Sequence, residues 1–390
     1  MYWEWTLLII AVLAVYWGWT FIRRDGKQSA VKIVQNIPPE YLKGLNYVLN
    51  EQQDKAIDLF IRMLEVDSDT VETHLALGYL FRRRGEVDRA IRIHQNLIAR
   101  PTLSEHQRSL ALLELGLDYM RSGLLDRAES LFKELVNSRD FTVQAYTELL
   151  DIYQQEKDWD EAIEIARRLQ SISGEDQSRL IAQFYCELAE LNLAAGKLKE
   201  TRQFIRRALN TDPDCVRASL QEAELACSED DYRQALKSYK RIEKQDPEYL
   251  PEVIAQIMHC YRELGKLDDC TKYLQDIINR YGGVTPLLYL TLVIEEMQGE
   301  KEAIKFLSQE LKNRPSVRGV DKLIEYVLGM ADGEIRENLQ TIKDMTGKLL
   351  DSSPVYKCNH CGFDAKMMHW HCPSCKRWNT IKPIFGVAGE

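Results

Sequence analysis

A repeat with a period of about 34 residues constrains this chain more than any other feature of its sequence. Two small residues, Gly44 and Ala56, recur one such period later as Gly78 and Ala90. A fixed period of this length is typical of stacked helix pairs, in which a small residue on each helix lets the two helices pack closely. The sequence therefore predicts an all-α solenoid whose helix pairs bury their apolar faces against one another.

A ladder of small residues carries this period through most of the chain. Most of its steps stay close to the first one, and the two longer steps, which end at Ala128 and Thr201, indicate extended turns near Thr102 and Ser173. The eight ladder residues are Ala56, Ala90, Ala128, Ala162, Thr201, Ala235, Cys270 and Ala303. We interpret residues 40–315 as about eight tetratricopeptide repeats (TPRs) forming a superhelical solenoid. Residues 316–352 keep a weaker pattern and are predicted to be degenerate capping helices.

Glycines occur at the predicted turn between the two helices of several pairs. A helix can end on a glycine because this residue adopts positive φ without steric cost. These predicted turn residues are Gly85, Gly123, Gly196, Gly265 and Gly299.

The inner face of a helical-repeat array is the usual site of protein binding. We predict that Tyr79, Arg82 and Arg83, on the first helix of one repeat, contribute to a partner-binding surface. The alternative interpretation is that Arg82, Arg83 and Arg84 form a solvated run of charge. The net charge of -9 argues against a nucleic-acid footprint along the whole chain.

An uncharged apolar segment precedes the array. Residues 6–22 contain no charged side chain, and together with Trp5 they would span roughly 27 Å as a helix, at about 1.5 Å per residue. A cleaved signal peptide and a buried core helix are the alternatives. A signal peptide needs a positive n-region, whereas the first five residues carry only Glu4. We predict a retained transmembrane anchor over residues 1–22.

The charges that follow this segment predict its orientation. Arg23 and Arg24 come directly after it, and such positive flanks stay in the cytoplasm. We therefore expect a single-pass protein with a short N-terminus outside and the bulk of the chain in the cytoplasm. Residues 23–39 are polar and are predicted to be a linker.

Four of the nine cysteines form two Cys-x-x-Cys pairs late in the chain, and they are Cys358, Cys361, Cys372 and Cys375. Two such pairs separated by ten residues can present four thiolates tetrahedrally, as in a structural zinc site. Iron in the same cage would make a redox centre, and the spacing does not separate iron from zinc. His360, His369 or His371 could replace a cysteine, although four thiolates already satisfy zinc.

The short loops of this region predict that metal binding supplies much of its folding free energy. We interpret residues 353–390 as a separate metal-binding module. Gly362 follows the first pair and suits the turn there, whereas Lys376 occupies the equivalent place after the second pair. Four aromatic residues are predicted to cover the module: Tyr356, Phe363, Trp370 and Trp378. The module carries more basic than acidic side chains, but a nucleic-acid role is the weaker interpretation.

The remaining chemistry-bearing residues indicate no enzyme. The sequence contains no G-x-x-x-x-G-K-[ST], H-E-x-x-H or G-x-S-x-G motif. The histidines before the module are isolated and are interpreted as packing or surface residues. The other cysteines are interpreted as small buried hydrophobes, and they are Cys186, Cys215, Cys227, Cys260 and Cys270.

Four segments, together with the order of anchor, repeats and cysteine module, carry a resemblance to a known family. The segments are QQDKAIDLF from Gln52, GEVDRAIRIHQ from Gly85, FYCELA from Phe184 and WHCPSCKRWNTIKPI from Trp370. The chain resembles the lipopolysaccharide assembly protein B family of Gram-negative bacteria over essentially its full length.

This resemblance implies a non-enzymatic regulator of lipopolysaccharide biosynthesis in the inner membrane. It implies an adaptor for the membrane AAA+ protease that promotes degradation of the deacetylase committing precursor to lipid A. Other inner-membrane lipopolysaccharide assembly proteins are implied as further partners. The resemblance also implies a rubredoxin-like module that packs against the repeats and binds its metal through the four paired cysteines. A general scaffold for lipopolysaccharide synthesis enzymes and a rubredoxin-type electron carrier are the alternatives.

Overall fold

The computed structural model of this protein describes residues 39–66, 70–138, 140–387 and 389–390. The predicted anchor over residues 1–22 and all but the last residue of the predicted linker therefore lie outside the described residues. Within the described ranges, helices extend to Ser352 and three short strands follow. None of the helices in this part of the chain combines the length and the apolar character that a membrane crossing requires.

The described residues divide into two compact units, with the division between Glu156 and Lys157. In the first unit each helix packs against the next, and the first helices of two successive pairs, α3 and α5, also touch. Its helices are α1 (Pro39–Leu49), α2 (Gln53–Val66), α3 (Val71–Arg84), α4 (Val87–Ile98), α5 (Glu105–Ser122), α6 (Leu125–Leu135) and α7 (Thr142–Glu156).

The second unit also consists of successive packed helices and ends in the metal module. Its helices are α8 (Trp159–Ser173), α9 (Ser178–Ala194), α10 (Leu198–Thr211), α11 (Val216–Ser228), α12 (Tyr232–Gln245), α13 (Leu250–Glu263), α14 (Leu267–Tyr281), α15 (Val284–Gln298), α16 (Glu300–Asn313), α17 (Val317–Met330) and α18 (Gly333–Ser352). A short 3-10 turn, Pro247–Tyr249, precedes α13. Successive helices pack together. The first helices of neighbouring pairs also touch: α13 contacts α15, and α15 contacts α17.

The small-residue ladder is buried in every repeat, as the sequence predicts. Each of its eight residues is at most 1% exposed and lies on the second helix of a pair. Thr201 and Cys270 are as buried as the alanines, because both side chains are small enough to lie between packed helices. Of the five scattered cysteines, four are buried and Cys227 is partly exposed.

Glycines on the first helices pack directly on rings of the second helices. A Cβ added to Gly116 would lie 2.5 Å from the ring of Phe132, and one added to Gly44 would lie 2.5 Å from Phe60. The ring follows the glycine at the same spacing in both pairs. At Gly78 the ring at this spacing is His94, so an imidazole occupies a position that is aromatic and apolar in the other two pairs.

Replacing Gly116 by alanine is expected to destabilise the protein by about 1–3 kcal/mol, because the added methyl group overpacks the contact with Phe132. Gly329 provides the control, since it lies in α17 with no atom within 4 Å of an added Cβ. Gly329→Ala should instead raise stability by up to about 1 kcal/mol through helix propensity. Urea unfolding followed by far-UV circular dichroism measures both changes. Equal effects of the two substitutions would contradict the packing argument.

The predicted turn glycines all adopt positive φ, between 66° and 96°. Four of these glycines lie five residues before the ladder residue, and Gly299 lies four residues before it. Three further pairs have positive φ five residues before the ladder residue but no glycine there. These residues are Glu51, Lys157 and Asp230, with φ of 58°, 59° and 61°. The glycine pattern therefore missed three turns with positive φ, because no glycine marks them in the sequence.

Lys157→Gly is expected to stabilise the protein by about 1 kcal/mol, because glycine removes the steric cost of the left-handed conformation at this exposed site. The matched control is Lys237→Gly, at an exposed position inside α12. That substitution should cost about 1 kcal/mol through lost helix propensity. The melting temperature should rise in Lys157→Gly and fall in Lys237→Gly. A lower melting temperature in both variants would refute the strain at Lys157.

Candidate metal centre

A three-stranded antiparallel sheet positions the cysteine loops of the module. The strands are β1 (Tyr356–Cys358), β2 (Asp364–Ala365) and β3 (Ile381–Pro383), in the order β2-β1-β3. Cys358 is the last residue of β1 and lies opposite Ile381 of β3. The sheet therefore holds the start of the first Cys-x-x-Cys loop against the segment that follows the second loop.

The two loops have the same backbone turn although their sequences differ. The Gly362 N–H donates to the carbonyl of Cys358 over 2.9 Å, and the Lys376 N–H donates to that of Cys372 over the same distance. Both donors have positive φ, 76° at Gly362 and 56° at Lys376. The second loop thus has a lysine where the first has a glycine, but the backbone conformation is the same. The lysine adopts it at some steric cost.

The four sulfur atoms converge on one point. All four lie within 4.8 Å of one another, with Sγ–Sγ distances of 3.8 Å for Cys358 and Cys375 and 3.7 Å for Cys361 and Cys372. A tetrahedron with metal–sulfur bonds of about 2.3 Å has edges of about 3.8 Å, so the closest pairs already match this geometry. The donor set and spacing fit a metal ion, and these residues form a four-cysteine metal-binding site.

Hydrogen bonds favour the thiolate form of the two cysteines in the first loop. Burial opposes ionisation of Cys358, but hydrogen bonds with the Thr380 hydroxyl and with backbone N–H groups outweigh it and lower the pKa of this thiol to about 6. The backbone N–H of Phe363 lowers the pKa of Cys361. Burial raises the pKa of Cys375 to about 11. Backbone N–H groups therefore face sulfur in these loops, and metal binding would displace the remaining protons.

The histidines of the module are not part of this cluster. Within the described residues, the group that could hold a metal contains the four thiols and no imidazole. His371 instead stacks on Trp378, with ring centroids 4.5 Å apart, and its Nε2 lies 2.8 Å from the carbonyl oxygen of Lys376. This histidine orders the second loop from outside the sulfur cage.

Trp378 connects the module to the repeats. Its ring meets the rings of Trp159 and Phe184 edge-on, with centroid distances of 6.0 and 5.9 Å. The guanidinium of Arg217 lies 5.9 Å from the same ring. The four aromatic residues have different environments, which the sequence did not predict. The rings of Tyr356 and Phe363 pack in the module's own core, although the Tyr356 hydroxyl also reaches Glu252 on α13. Trp370 and Trp378 pack against the repeats.

Arg217 is itself almost completely buried, at 3% exposure, and is held by two carboxylates. Its Nη2 lies 2.8 Å from Glu187 and 2.7 Å from Glu190, both on α9. A buried charge is tolerated only when it is paired and hydrogen-bonded. The ion pairs therefore fix a cation against the face of α9 and α11 that receives Trp378.

A second contact lies around Tyr249. Its ring centroid is 5.3 Å from that of Trp370, and its hydroxyl donates to Asn379 Oδ1 over 3.0 Å. The ammonium of Lys382 lies over the same ring at 3.9 Å and forms an ion pair with Asp246. Together these contacts confirm the expectation that the module packs against the repeats.

The predicted partner-binding residues occupy different environments. Arg82 is not a solvated charge, because its side chain is 13% exposed and forms ion pairs with Glu114 at 2.6 Å and Asp118 at 2.8 Å. Asp118 also lies 2.6 Å from His94 Nδ1, so Arg82 belongs to a buried polar cluster that includes the substituted ring position. Tyr79 and Arg83 are exposed, and partner binding through them stays a prediction.

Comparisons with known proteins agree with both parts of this architecture. Residues 356–383 match the family described as rubredoxin metal binding domain, and residues 73–105 and 113–176 match tetratricopeptide repeat families. The chain is 39% identical over 387 residues to lipopolysaccharide assembly protein B of Escherichia coli K12, covering 99% of both chains. It is 36% identical to the protein of the same name from Haemophilus influenzae, covering 97% of this chain and 98% of that one.

Proposed function

The chain belongs to the lipopolysaccharide assembly protein B family, and we propose that it is a non-enzymatic regulator of lipopolysaccharide biosynthesis at the inner membrane. In this proposal it acts as an adaptor for the membrane AAA+ protease and promotes degradation of the deacetylase that commits precursor to lipid A. The observation that supports an adaptor is the docking of the metal module on the repeats, since Trp378 and Lys382 join both parts into one protein-binding body. Helical-repeat arrays of this kind typically bind other proteins.

The proposed adaptor is tethered by residues 1–22, with its N-terminus in the periplasm and the remainder in the cytoplasm. Confinement to the membrane of the protease raises the effective concentration of the two partners without requiring tight contacts. An unrelated single span of the same orientation in place of residues 1–22 should therefore preserve function if tethering is the anchor's whole contribution. Loss of function in this chimera would indicate specific contacts by the helix itself.

We further propose that the four-cysteine site holds zinc in a structural role. Closed four-thiolate sites are typical of structural zinc, which adds folding free energy without redox chemistry. Zinc bound to Cys358, Cys361, Cys372 and Cys375 would fix both loops, and with them the ring of Trp378. Elemental analysis of purified full-length protein should give one zinc ion per chain, and the protein solution should be colourless. Stoichiometric iron with visible absorption would favour the electron carrier instead.

The half-life of the deacetylase in living cells tests the adaptor role. Depletion of this protein should lengthen that half-life, and re-expression of the full chain should restore it. A matched membrane protein of unrelated sequence, depleted in parallel, controls for general damage to the envelope. An unchanged half-life would refute the adaptor role and favour a scaffold that gathers lipopolysaccharide synthesis enzymes without affecting proteolysis.

A further inference from the structure

A cavity of about 390 Å³ lies between the last repeats and the metal module. One side is formed by the first helices of three successive pairs, α13, α15 and α17. The other side is formed by Leu350, by residues 353–356 and by Ile384, Gly389 and Glu390. Its volume falls within the range of natural ligand pockets. The four-cysteine site lies outside this cavity, so the metal does not account for it.

One of the two carboxylates in the cavity, that of Glu390, has its negative charge balanced by an ion pair and hydrogen bonds. Glu390 forms an ion pair with Arg318 and accepts hydrogen bonds from the Thr285 N–H at 3.0 Å and the Thr285 hydroxyl at 2.6 Å. Thr285 lies in the first turn of α15, where the helix dipole also favours a negative charge. This arrangement satisfies Glu390 and occupies the guanidinium of Arg318.

The other carboxylate, Glu252, lacks such compensation. It is half-buried on α13, and the Tyr356 hydroxyl donates to its Oε1 over 2.8 Å. Within the described part of the chain, no lysine or arginine lies within ion-pair distance of Glu252. Burial raises its pKa. The neighbouring charge of Glu390 adds to this effect, whereas the hydrogen bond from Tyr356 and the charge of Arg318 only partly offset it. The two carboxylates and one guanidinium leave the cavity with an excess of negative charge.

We propose that this cavity binds a cationic side chain, a lysine ammonium or an arginine guanidinium, of a partner polypeptide, with Glu252 as its counter-ion. Ala255, Tyr289 and Leu350 supply apolar walls against which the methylene stem of such a side chain packs. The bound cation supplies the charge that Glu252 lacks, and the carboxylate in turn accepts its hydrogen bonds. The inference specifies partner chemistry and does not depend on the protease role.

Two isosteric probes of different charge test this site on metal-loaded, full-length protein in detergent. The cation is 4-(trifluoromethyl)benzamidinium, and its neutral counterpart is 4-(trifluoromethyl)benzamide. Fluorine NMR line broadening gives a dissociation constant for each. We expect the cation to bind at least about 10-fold more tightly, as a charge-assisted hydrogen bond in a partly buried site provides. Equal binding of the two probes would overturn the proposal.

Three variants locate the binding. Glu252→Gln should abolish the preference for the cation while the amide still accepts from Tyr356. Glu263→Gln, at an exposed position near the other end of α13, is the matched control and should leave the preference intact. Ala255→Phe should fill the cavity and weaken both probes, with metal content and melting temperature verifying the fold. An unchanged preference in Glu252→Gln, or an equal loss in Glu263→Gln, would overturn the assignment to this cavity.

Discussion

Replacing Cys372 by serine is expected to abolish metal binding and unfold the module. Cys372 is fully buried, and its Sγ lies 3.7 Å from that of Cys361. The module's own buried core is small, comprising Cys358, Cys372 and Ile381. Structural zinc contributes about 10–16 kcal/mol to the folding of small zinc-finger peptides at neutral pH, and loss of one ligand removes much of this. The metal content measured by elemental analysis should therefore fall from one metal ion per chain to nearly none.

The control for this experiment is Cys270→Ala. Cys270 is equally buried but belongs to the small-residue ladder, where alanine is the usual residue. This variant should retain its metal and most of its stability. Hydrogen exchange should show fast exchange confined to residues 353–390 in Cys372→Ser and no such region in Cys270→Ala. Full metal content in Cys372→Ser would contradict the four-thiolate site.

Trp378→Ala is expected to loosen one of the contacts that hold the module on the repeats, while the metal stays bound and the contacts around Tyr249 remain. The substitution removes the ring that meets Trp159 and Phe184. Because Trp378 is half-buried, its truncation should cost less than the about 3–5 kcal/mol that is typical of fully buried aromatic side chains. It also leaves the buried guanidinium of Arg217 beside a void. Limited proteolysis should then cleave near residues 353–355, between α18 and β1, far faster than in the unmodified protein.

Met367→Ala serves as the comparison, because Met367 lies in the same module but is 65% exposed. Its substitution should change neither the proteolysis rate nor the metal content. Retained metal together with faster cleavage in Trp378→Ala would separate docking from folding of the module. A cleavage rate equal to that of Met367→Ala would show that Trp378 does not hold the module in place.

Features set by local spacing could be predicted from the sequence. The ladder from Ala56 to Ala303 follows from a fixed helical period, and the two Cys-x-x-Cys loops follow from the reach of a tight turn. Positive φ could be predicted at Gly85 because glycine signals it, but not at Lys157, because a lysine gives no signal for this conformation.

Contacts between distant parts of the chain could not be predicted in this way. Lys382 and Asp246 are far apart in the sequence, and no periodicity relates them. Arg82 shows the same limit within the repeats, because a run of three arginines does not reveal which of them faces Asp118 on a neighbouring helix pair. The cavity beside Glu252 also depends on such long-range packing, since its lining comes from several helices and the module.

Reconstitution in liposomes can measure the adaptor activity itself. The purified membrane AAA+ protease, the deacetylase and ATP would be combined with full-length protein, with its Cys372→Ser variant, or with neither. We predict that the full-length protein accelerates loss of the deacetylase by at least about 10-fold, as membrane confinement and substrate presentation together allow, and that Cys372→Ser does so much less. Equal degradation rates with and without the full-length protein would contradict the proposed function.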